Sequence, residues 1–259
     1  DVFFCRFLLA YILIWIVTPR KLFADSLKDE ILLMLLGVTG GSLYFQAENT
    51  ALIYTSVTNV SLIVCTTPIL TSVVMSLTKG GEHLTRRQVF GTLIAFVGMA
   101  MVVLNGHFAL QLSPLGDLLA FAAAWSWAFY SVITKRLNNK YRNLFIIRKV
   151  FFYGLMTILP VFLWSGFMTD VSILLKPQVI FNLIFLGMLA SLACFVLWNV
   201  VMDRIGVLVA SNYLYLNPVV AIITASVIIN ERITLFAISG TILILFGLYR
   251  ASTKRAEKA

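Results

Sequence analysis

The sequence contains one order of apolar segments twice, and this internal repeat limits the architecture more than any other feature. Residues 36–103 run as apolar helix, short break, apolar helix with a central proline, acidic turn and apolar helix, and the order returns from Leu186 towards the C-terminal end. Ten identical pairs align at an offset of 150 residues, or 149 after a one-residue slip: Gly37 and Gly187, Phe45 and Phe195, Asn49 and Asn199, Ser61 and Ser211, Pro68 and Pro218, Glu82 and Glu231, Thr85 and Thr234, Gly91 and Gly240, Thr92 and Thr241, Gly98 and Gly247. The sequence therefore predicts two copies of one helical unit.

The chain is too apolar for a water-soluble domain. Apolar residues make up 60% of it and charged residues 12%, whereas a soluble domain has about 25% charged residues. Several runs of about 20 apolar residues are long enough to cross a hydrocarbon core of roughly 30 Å. We therefore predict an all-α integral membrane protein.

The apolar runs predict nine membrane-spanning helices. Spans two to four match spans seven to nine, and span one matches span six, so span five has no partner. Its counterpart would precede residue 1, and we expect a ten-helix plan of five plus five whose first helix is missing. The N-terminal repeat is then residues 1–105 and the C-terminal repeat residues 106–259. The nine spans are approximately Val2–Val17, Ile31–Leu52, Ser56–Leu77, Gln88–Leu104, Pro114–Thr134, Leu144–Trp164, Val179–Met202, Gly206–Ile229 and Ile233–Tyr249.

The net charge of +9 reflects membrane topology rather than nucleic-acid binding, because the basic residues lie in short loops between spans. If loops alternate between sides, 17 of the 20 basic residues share one side: Arg20, Lys21, Lys28, Lys79, Arg86, Arg87, Lys135, Arg136, Lys140, Arg142, Arg148, Lys149, Arg204, Arg250, Lys254, Arg255 and Lys258. The positive-inside rule makes that side, with the C-terminal tail, cytoplasmic in a cell (inner) membrane. The Glu82 and Glu231 turns then lie on opposite sides, so we expect inverted repeats.

Short motifs in both copies resemble the EamA-like branch of the drug/metabolite transporter superfamily. They are Ala51-Leu-Ile-Tyr-Thr-Ser56, Thr66-Thr-Pro-Ile-Leu70 and Glu82-His-Leu-Thr85 in the first copy, and Tyr215-Leu-Asn-Pro-Val219 and Asn230-Glu-Arg-Ile-Thr234 in the second. The resemblance covers essentially the whole chain. It implies a ten-helix, inverted-repeat carrier with cytoplasmic termini and a central cavity. Such carriers move amino acids, nucleotide precursors, drugs or other small metabolites, often as exporters.

Two charged residues within spans are candidates for substrate contact. An ionisable group inside a membrane span is costly unless it is paired or hydrated, so it is a functional candidate. Glu48 lies near the outer end of span two and Arg6 near the outer end of span one. We predict that they pair or that both reach the cavity. In a functional role, Glu48 binds a substrate amine or carries a coupling proton. In a structural role, it is one member of an ion pair or a hydrated carboxylate at the membrane interface.

Three polar residues accompany them. Tyr44 shares a helix face with Glu48 four residues later, and this face either lines the cavity or packs on a neighbouring helix. Asn49 and Asn199 are equivalent in the two copies. They either cap the breaks that follow them or form a symmetric pair that hydrogen-bonds the substrate.

Pro68 and Pro218 lie in the middle of their spans. Each proline removes a backbone hydrogen bond and kinks its helix. We predict that these helices are cavity walls with hinge character, the alternative being a static packing kink. Asn217, just before Pro218, either satisfies the gap in hydrogen bonding or faces the substrate.

Aromatic residues provide further candidate cavity walls. Trp125 lies well inside span five with Trp127 and Tyr130, where aromatic rings suit stacking on a substrate or ordinary packing. Tyr213 and Tyr215 lie on opposite faces of span eight, so at most one of them, for which we take Tyr213, faces the cavity.

The last helix of each copy has a face of small residues. Gly91 and Gly98 match Gly240 and Gly247, and such faces let helices approach closely. They either buttress the bundle or mediate a homodimer. Glu82 and Glu231 begin these helices, and we interpret both as caps favoured by the helix dipole.

We predict no catalytic residue, cofactor or metal site. The two histidines, His83 and His107, lie in loops, and no P-loop lysine motif is present, which argues against ATP as the energy source. The leading hypothesis is a secondary transporter of small organic metabolites that works by alternating access. The alternatives are a membrane-embedded enzyme, which would need a constellation that we do not find in the sequence, and a truncated or non-transporting scaffold.

Overall fold

The computed structural model describes residues 2–18, 22–78, 85–105, 113–165, 171–174, 176–229 and 234–252, and its regular elements are helices. In lipid every backbone polar group must be satisfied within the protein, which favours helices. The α-helices are α1 Val2–Val17, α2 Leu27–Gly37, α3 Leu43–Tyr54, α4 Val57–Val64, α5 Thr67–Leu77, α6 Arg86–Leu104, α7 Pro114–Asn138, α8 Asn143–Ser165, α9 Val171–Leu174, α10 Pro177–Phe185, α11 Cys194–Ile205, α12 Val207–Asn212, α13 Asn217–Ile229 and α14 Leu235–Ser252.

Eight helical runs among these residues are long and apolar enough to cross a membrane. They correspond to predicted spans two to nine, which confirms an all-α membrane protein. Span one is α1, an apolar helix of 16 residues, or about 24 Å at 1.5 Å per residue. The predictions for Glu82, Glu231, His83 and His107 concern positions outside the described residues.

Four spans are interrupted, in matching pairs. Span two contains the π-helical segment Val38–Ser42 and span seven the π-helical segment Leu186–Ala193. Span three is divided into α4 and α5, and span eight is divided by the 3₁₀ turn Tyr213–Leu216. The two copies therefore share local irregularities as well as residues.

The chain forms two compact units. Unit 1 comprises Asp1–Gln46 and Phe129–Arg204, and unit 2 comprises Ala47–Ala128 and Ile205–Ala259. Each unit thus draws on both halves of the sequence.

The core of unit 1 is aromatic. The ring of Phe7, fully buried, meets the rings of Phe151 at 5.0 Å and Phe195 at 6.0 Å between centroids, both edge to face. Tyr130 contacts Phe195 at 6.1 Å, and a side chain at Gly40 would overlap the Tyr130 ring. Edge-to-face pairs stabilise beyond the area they bury, so this cluster fixes α1, α8 and α11 around one centre.

Unit 2 is built on the pairing of α6 with α14. A side-chain carbon at Gly98 would lie 2.6 Å from the Gly240 carbonyl oxygen, and one at Gly247 would lie 2.6 Å from the Gly91 carbonyl oxygen. The two backbones therefore touch directly, as small-residue faces permit in membranes. We call this contact the glycine seam.

The glycine seam decides between the two roles predicted for the small-residue faces. Both faces are used within the chain, so they buttress unit 2. The homodimer that we expected through these faces is not supported, because each face is already covered by the other.

Threonine hydroxyls cap both helices of the seam. Thr85 forms a capping box with Gln88 at the start of α6. The equivalent Thr234 accepts the Ala237 N–H at 3.2 Å at the start of α14. These side chains satisfy backbone donors that a helix start leaves unpaired.

Replacing Gly98 by leucine should destabilise the protein, because the new side chain would be forced against the α14 backbone. Overpacking typically costs about 1–3 kcal/mol, or roughly 2–12 °C in Tm for a chain of this size. Thermal unfolding of the purified protein in detergent measures the change. Val97→Leu on the exposed face of α6, where Val97 is 53% exposed, is the matched control and should leave Tm nearly unchanged. Equal Tm values for both variants would contradict the seam.

Candidate functional site

Arg6 contacts Ser191 and Phe45 within unit 1. Its Nε donates a hydrogen bond to Ser191 Oγ at 2.8 Å, and its guanidinium lies over the Phe45 ring at 4.7 Å. Ser191 is fully buried in the second π-helical segment. A guanidinium in this setting is a cation fixed against apolar surface, which suits recognition of a carboxylate.

Asn199 lies on the same face as Ser191 and Phe195, at spacings of four residues. It is fully buried, and neither atom of its amide has a hydrogen-bond partner among the described residues. A buried polar group without a partner costs about 1–3 kcal/mol, and such groups commonly mark the position of a water or a ligand. The prediction that Asn199 contacts substrate is not tested by this geometry but agrees with it.

Tyr44 is half-buried, with its ring edge to face on Phe45 at 5.0 Å. Gly37 and Gly41, which precede Tyr44 in the same span, pack against the backbone of α8 at Gly154. This part of the span is therefore a helix-packing face. The role of Tyr44 itself stays a prediction.

The other predicted site residues belong to unit 2. Glu48 and Trp125 are half-buried, and Asn49, Tyr213 and Asn217 are exposed. Since Arg6 is in unit 1 and Glu48 in unit 2, their predicted pairing stays a prediction. Tyr213 is 40% exposed whereas Tyr215 is fully buried, so the two rings have different surroundings, and the cavity role of Tyr213 stays a prediction.

The two central prolines each open a helix rather than kink one. Pro68 is in the first turn of α5, and Pro218 is the second residue of α13, where the missing N–H of a proline is tolerated. In the first break, Thr66 Oγ1 donates to the Ile63 carbonyl at 2.6 Å and Thr67 Oγ1 to the Val64 carbonyl at 2.5 Å. The Ile63 carbonyl also accepts the Thr66 N–H, whereas the Val64 carbonyl lies four residues before Pro68, which has no N–H to donate, so the Thr67 hydroxyl takes the place of that donor.

Residues of both breaks contribute to one core. Tyr215, in the 3₁₀ turn of the second break, belongs to the buried cluster of unit 2 with Met99 and Ile244. Cys65, in the first break, packs against this cluster. Each break is thus anchored to this core by one side chain, Cys65 in the first and Tyr215 in the second.

Sequence reasoning missed a network of charged side chains in unit 1. Consecutive carboxylates at the start of α2 each hold one lysine and one tyrosine. Asp29 accepts hydrogen bonds from Lys140 Nζ at 3.2 Å and from Tyr141 Oη at 3.0 Å. Glu30 accepts hydrogen bonds from Lys149 Nζ and Tyr153 Oη. We call these six residues the polar network.

The polar network also holds the chain that leads into α2. The Ala24 N–H donates to Glu30 Oε2 at 2.7 Å, and the Asp25 N–H donates to Tyr141 Oη at 3.0 Å. Burial above all, together with the Asp29 carboxylate, raises the pKa of Tyr141, so its phenol keeps its proton and donates it to Asp29. Residues 22–26 are therefore fixed by polar bonds.

One signal in the sequence could have revealed this network. Arg148 and Lys149 were counted as loop charges, but both lie inside α8 and are 3% and 4% exposed. Buried lysine and arginine are almost always paired. A search for acidic partners would have found Asp29 and Glu30, the acidic pair that opens α2.

In the described part of the chain, no group of three or more His, Cys, Asp or Glu side chains could hold a metal ion. The charged and polar groups found there are suited to binding and to holding elements together. The eight membrane-length runs, with paired interruptions and buried charges, define a multi-pass membrane protein with the features of a carrier.

The comparisons with known proteins give the family. The sequence profile described as the EamA-like transporter family matches residues 1–104 and 114–253. The chain therefore belongs to the EamA-like transporter family, as its repeated motifs predicted, and is a membrane transporter by family.

Individual relatives agree. A protein of Archaeoglobus fulgidus named as an uncharacterized transporter is 27% identical over 258 residues, which cover 98% of this chain and 88% of the relative. A probable amino-acid metabolite efflux pump of Salmonella typhimurium is 28% identical over 178 residues, which cover 65% of this chain and 58% of the pump. A solved crystal structure matches with a TM-score of 0.80 and 18% identity, covering 97% of this chain and 88% of the other, which shows a shared fold.

Replacing Glu30 by glutamine should strongly destabilise unit 1, because Lys149 would remain buried without its negative partner. Breaking a buried ion pair on one side costs about 3–5 kcal/mol. Thermal unfolding in detergent is the measurement. The matched control is Asp203→Asn, the same chemical change at an exposed position of unit 1, which should change stability by about 0.5 kcal/mol or less. A Glu30→Gln variant as stable as the control would show that the pair is not needed.

Proposed function

We propose that this transporter is a secondary carrier that exports small amino-acid-type metabolites by alternating access. The family and the printed name of the Salmonella typhimurium relative support the substrate class. In the proposed mechanism, residues 1–105 and 106–259 are inverted repeats that exchange roles as the carrier opens to either side. Carriers of inverted repeats work in this way in several folds.

The observation that carries this proposal is the pairing of helix interruptions. The π-helical segments Val38–Ser42 and Leu186–Ala193 fall at equivalent positions of the repeat. The breaks before Pro68 and Pro218 do so as well. A bundle needed only as a scaffold has no reason to conserve four irregular segments in matching positions, whereas carriers place substrate sites and bending points at discontinuous helices.

The substrate chemistry follows from the charged candidates. Arg6, fixed by Ser191 and Phe45, supplies the cation for a carboxylate. The aromatic rings beside it, Phe45 and Tyr44, offer surface for an apolar side chain, and the Asn199 amide offers further hydrogen bonds. Glu48 is proposed to bind an amine or to carry a coupling proton. The groups of unit 1 alone, a fixed cation with aromatic surface, are complementary to the carboxylate and an apolar side chain of an amino acid.

We also propose the orientation given by the positive-inside rule. The protein would lie in a cell (inner) membrane with its C-terminus on the cytoplasmic side. Residues 135–142, which comprise the end of α7 and the turn after it and carry four basic side chains, would then be cytoplasmic. Cysteines introduced there should react with a membrane-impermeant maleimide only after cells are opened. Labelling of these cysteines in intact cells would show that the segment lies outside and that the proposed topology is wrong.

Transport by the full-length protein in proteoliposomes should depend on both charged candidates. With a panel of amino acids, Arg6→Gln should reduce kcat/KM about 10-fold to 1,000-fold, the loss expected when a charge-assisted hydrogen bond of about 1.5–3 kcal/mol or a stronger bidentate pair is removed. If Glu48 carries the coupling proton, Glu48→Gln should abolish the dependence of transport on a pH gradient. If Glu48 binds the substrate amine, Glu48→Gln should selectively reduce the transport of substrates that carry an amine.

Two controls separate the effect of Arg6→Gln on substrate binding from an effect on folding. Arg86→Gln changes an exposed arginine at the start of α6 and should transport normally. Decarboxylated amino-acid analogues distinguish a substrate contact of Arg6 from a structural role. Wild type should transport these analogues much less well than the amino acids, whereas Arg6→Gln should transport both equally well. Unchanged amino-acid transport by well-folded Arg6→Gln would remove Arg6 from the site, and wild-type transport of no amino acid would refute the substrate class.

A further inference from the structure

The ammonium of Lys149 lies among four aromatic rings in unit 1. The distances from Nζ to the ring centroids are 5.1 Å for Phe23, 5.2 Å for Tyr153, 5.8 Å for Phe152 and 6.0 Å for Phe145. An ammonium within about 6 Å of a ring centroid is attracted by the negative ring face. We call these four rings the aromatic box.

A carboxylate completes the set of groups around this ammonium. Glu30 pairs with Lys149, whose side chain is 5% exposed. A carboxylate together with several aromatic faces is the combination that recognises organic ammonium ions. The neighbouring ion pair is built differently, since the Lys140 side chain that pairs with Asp29 is 54% exposed.

The outer wall of the aromatic box is held by backbone hydrogen bonds and has little buried apolar surface, since residues 22–26 are largely exposed. Phe23 and Ala24 belong to residues 22–26, where Phe23 is 72% exposed. The Ala24 N–H bond to Glu30 and the Asp25 N–H bond to Tyr141 fix this segment. Segments with few buried apolar contacts open locally at low free energy, so the box has a route to solvent.

We propose that the aromatic box with Glu30 is a binding site for a primary organic ammonium ion, filled in this structure by the chain's own Lys149. The lysine stem is flexible and its head is strongly hydrated, so the head can leave when residues 22–26 open. A free alkylammonium ion then takes its place against Glu30. The proposal concerns this box alone and does not depend on which solute is exported.

The test removes the tethered ammonium and supplies a free one. Lys149→Ala should unfold at a lower temperature than wild type in detergent, and propylammonium chloride should raise its Tm in a saturable way. At a tenfold excess over Kd the rise should be about 3–6 °C. Propanol, which is neutral and of similar size, and sodium chloride at equal ionic strength should not reproduce it.

Lys140→Ala is the matched control, because it removes the exposed lysine of the other pair, and propylammonium should not shift its Tm. An equal effect of propylammonium on both variants, or no effect on Lys149→Ala, would overturn the proposal. If Lys149→Ala does not fold, Lys149→Gln keeps a hydrogen-bond donor near Glu30 without the charge. A saturable rise in Tm for that variant supports the site, and its absence refutes it.

Discussion

Lipid offers no hydrogen bonds, and this constraint explains where the chain departs from regular helix. A break at membrane depth is tolerated only where protein satisfies the freed backbone groups. In the first break the Thr66 and Thr67 hydroxyls bond to carbonyls of the preceding helix turn. In the second, the 3₁₀ turn is buried against the core of unit 2 through Tyr215. Irregularity is thus placed where side chains can compensate for it.

The same constraint governs the charged side chains. Within unit 1, Asp29 and Glu30 each collect a lysine and a tyrosine, so four polar side chains cover two carboxylates. Replacing such a pair by apolar residues is often neutral for stability. The aromatic rings around Lys149 distinguish its pair from the more exposed pair of Lys140 with Asp29, and the proposed ammonium site rests on them.

Much of the fold could be predicted because it depends on local patterns. Hydrophobic runs located spans two to nine, and the repeat placed Pro68 and Pro218 at breaks that the structure contains. What the sequence could not give was which segments pack together, because this depends on contacts between distant residues. For this reason the sequence left two roles open for the glycine faces of α6 and α14, and the structure shows that these faces meet each other within unit 2. Arg148 and Lys149 fell inside predicted span six but were counted only as charges of one membrane side, because their burial depends on partners contributed by α2 and by the Thr18 carbonyl. For the candidate substrate residues, the sequence supplied chemical type, and the structure added neighbours for Arg6 and the unsatisfied amide of Asn199.

The glycine seam also limits how the two copies can diverge. A Cβ atom added at any of Gly98, Gly240, Gly91 or Gly247 would lie within 2.7 Å of the carbonyl oxygen of the opposing glycine, so neither copy can gain a side chain there without displacing the other's backbone. After a duplication, most equivalent positions are released to drift separately. The four seam glycines cannot change separately, because each copy packs directly on the backbone of the other. A larger residue in one copy could be accommodated only if the whole opposing helix shifted.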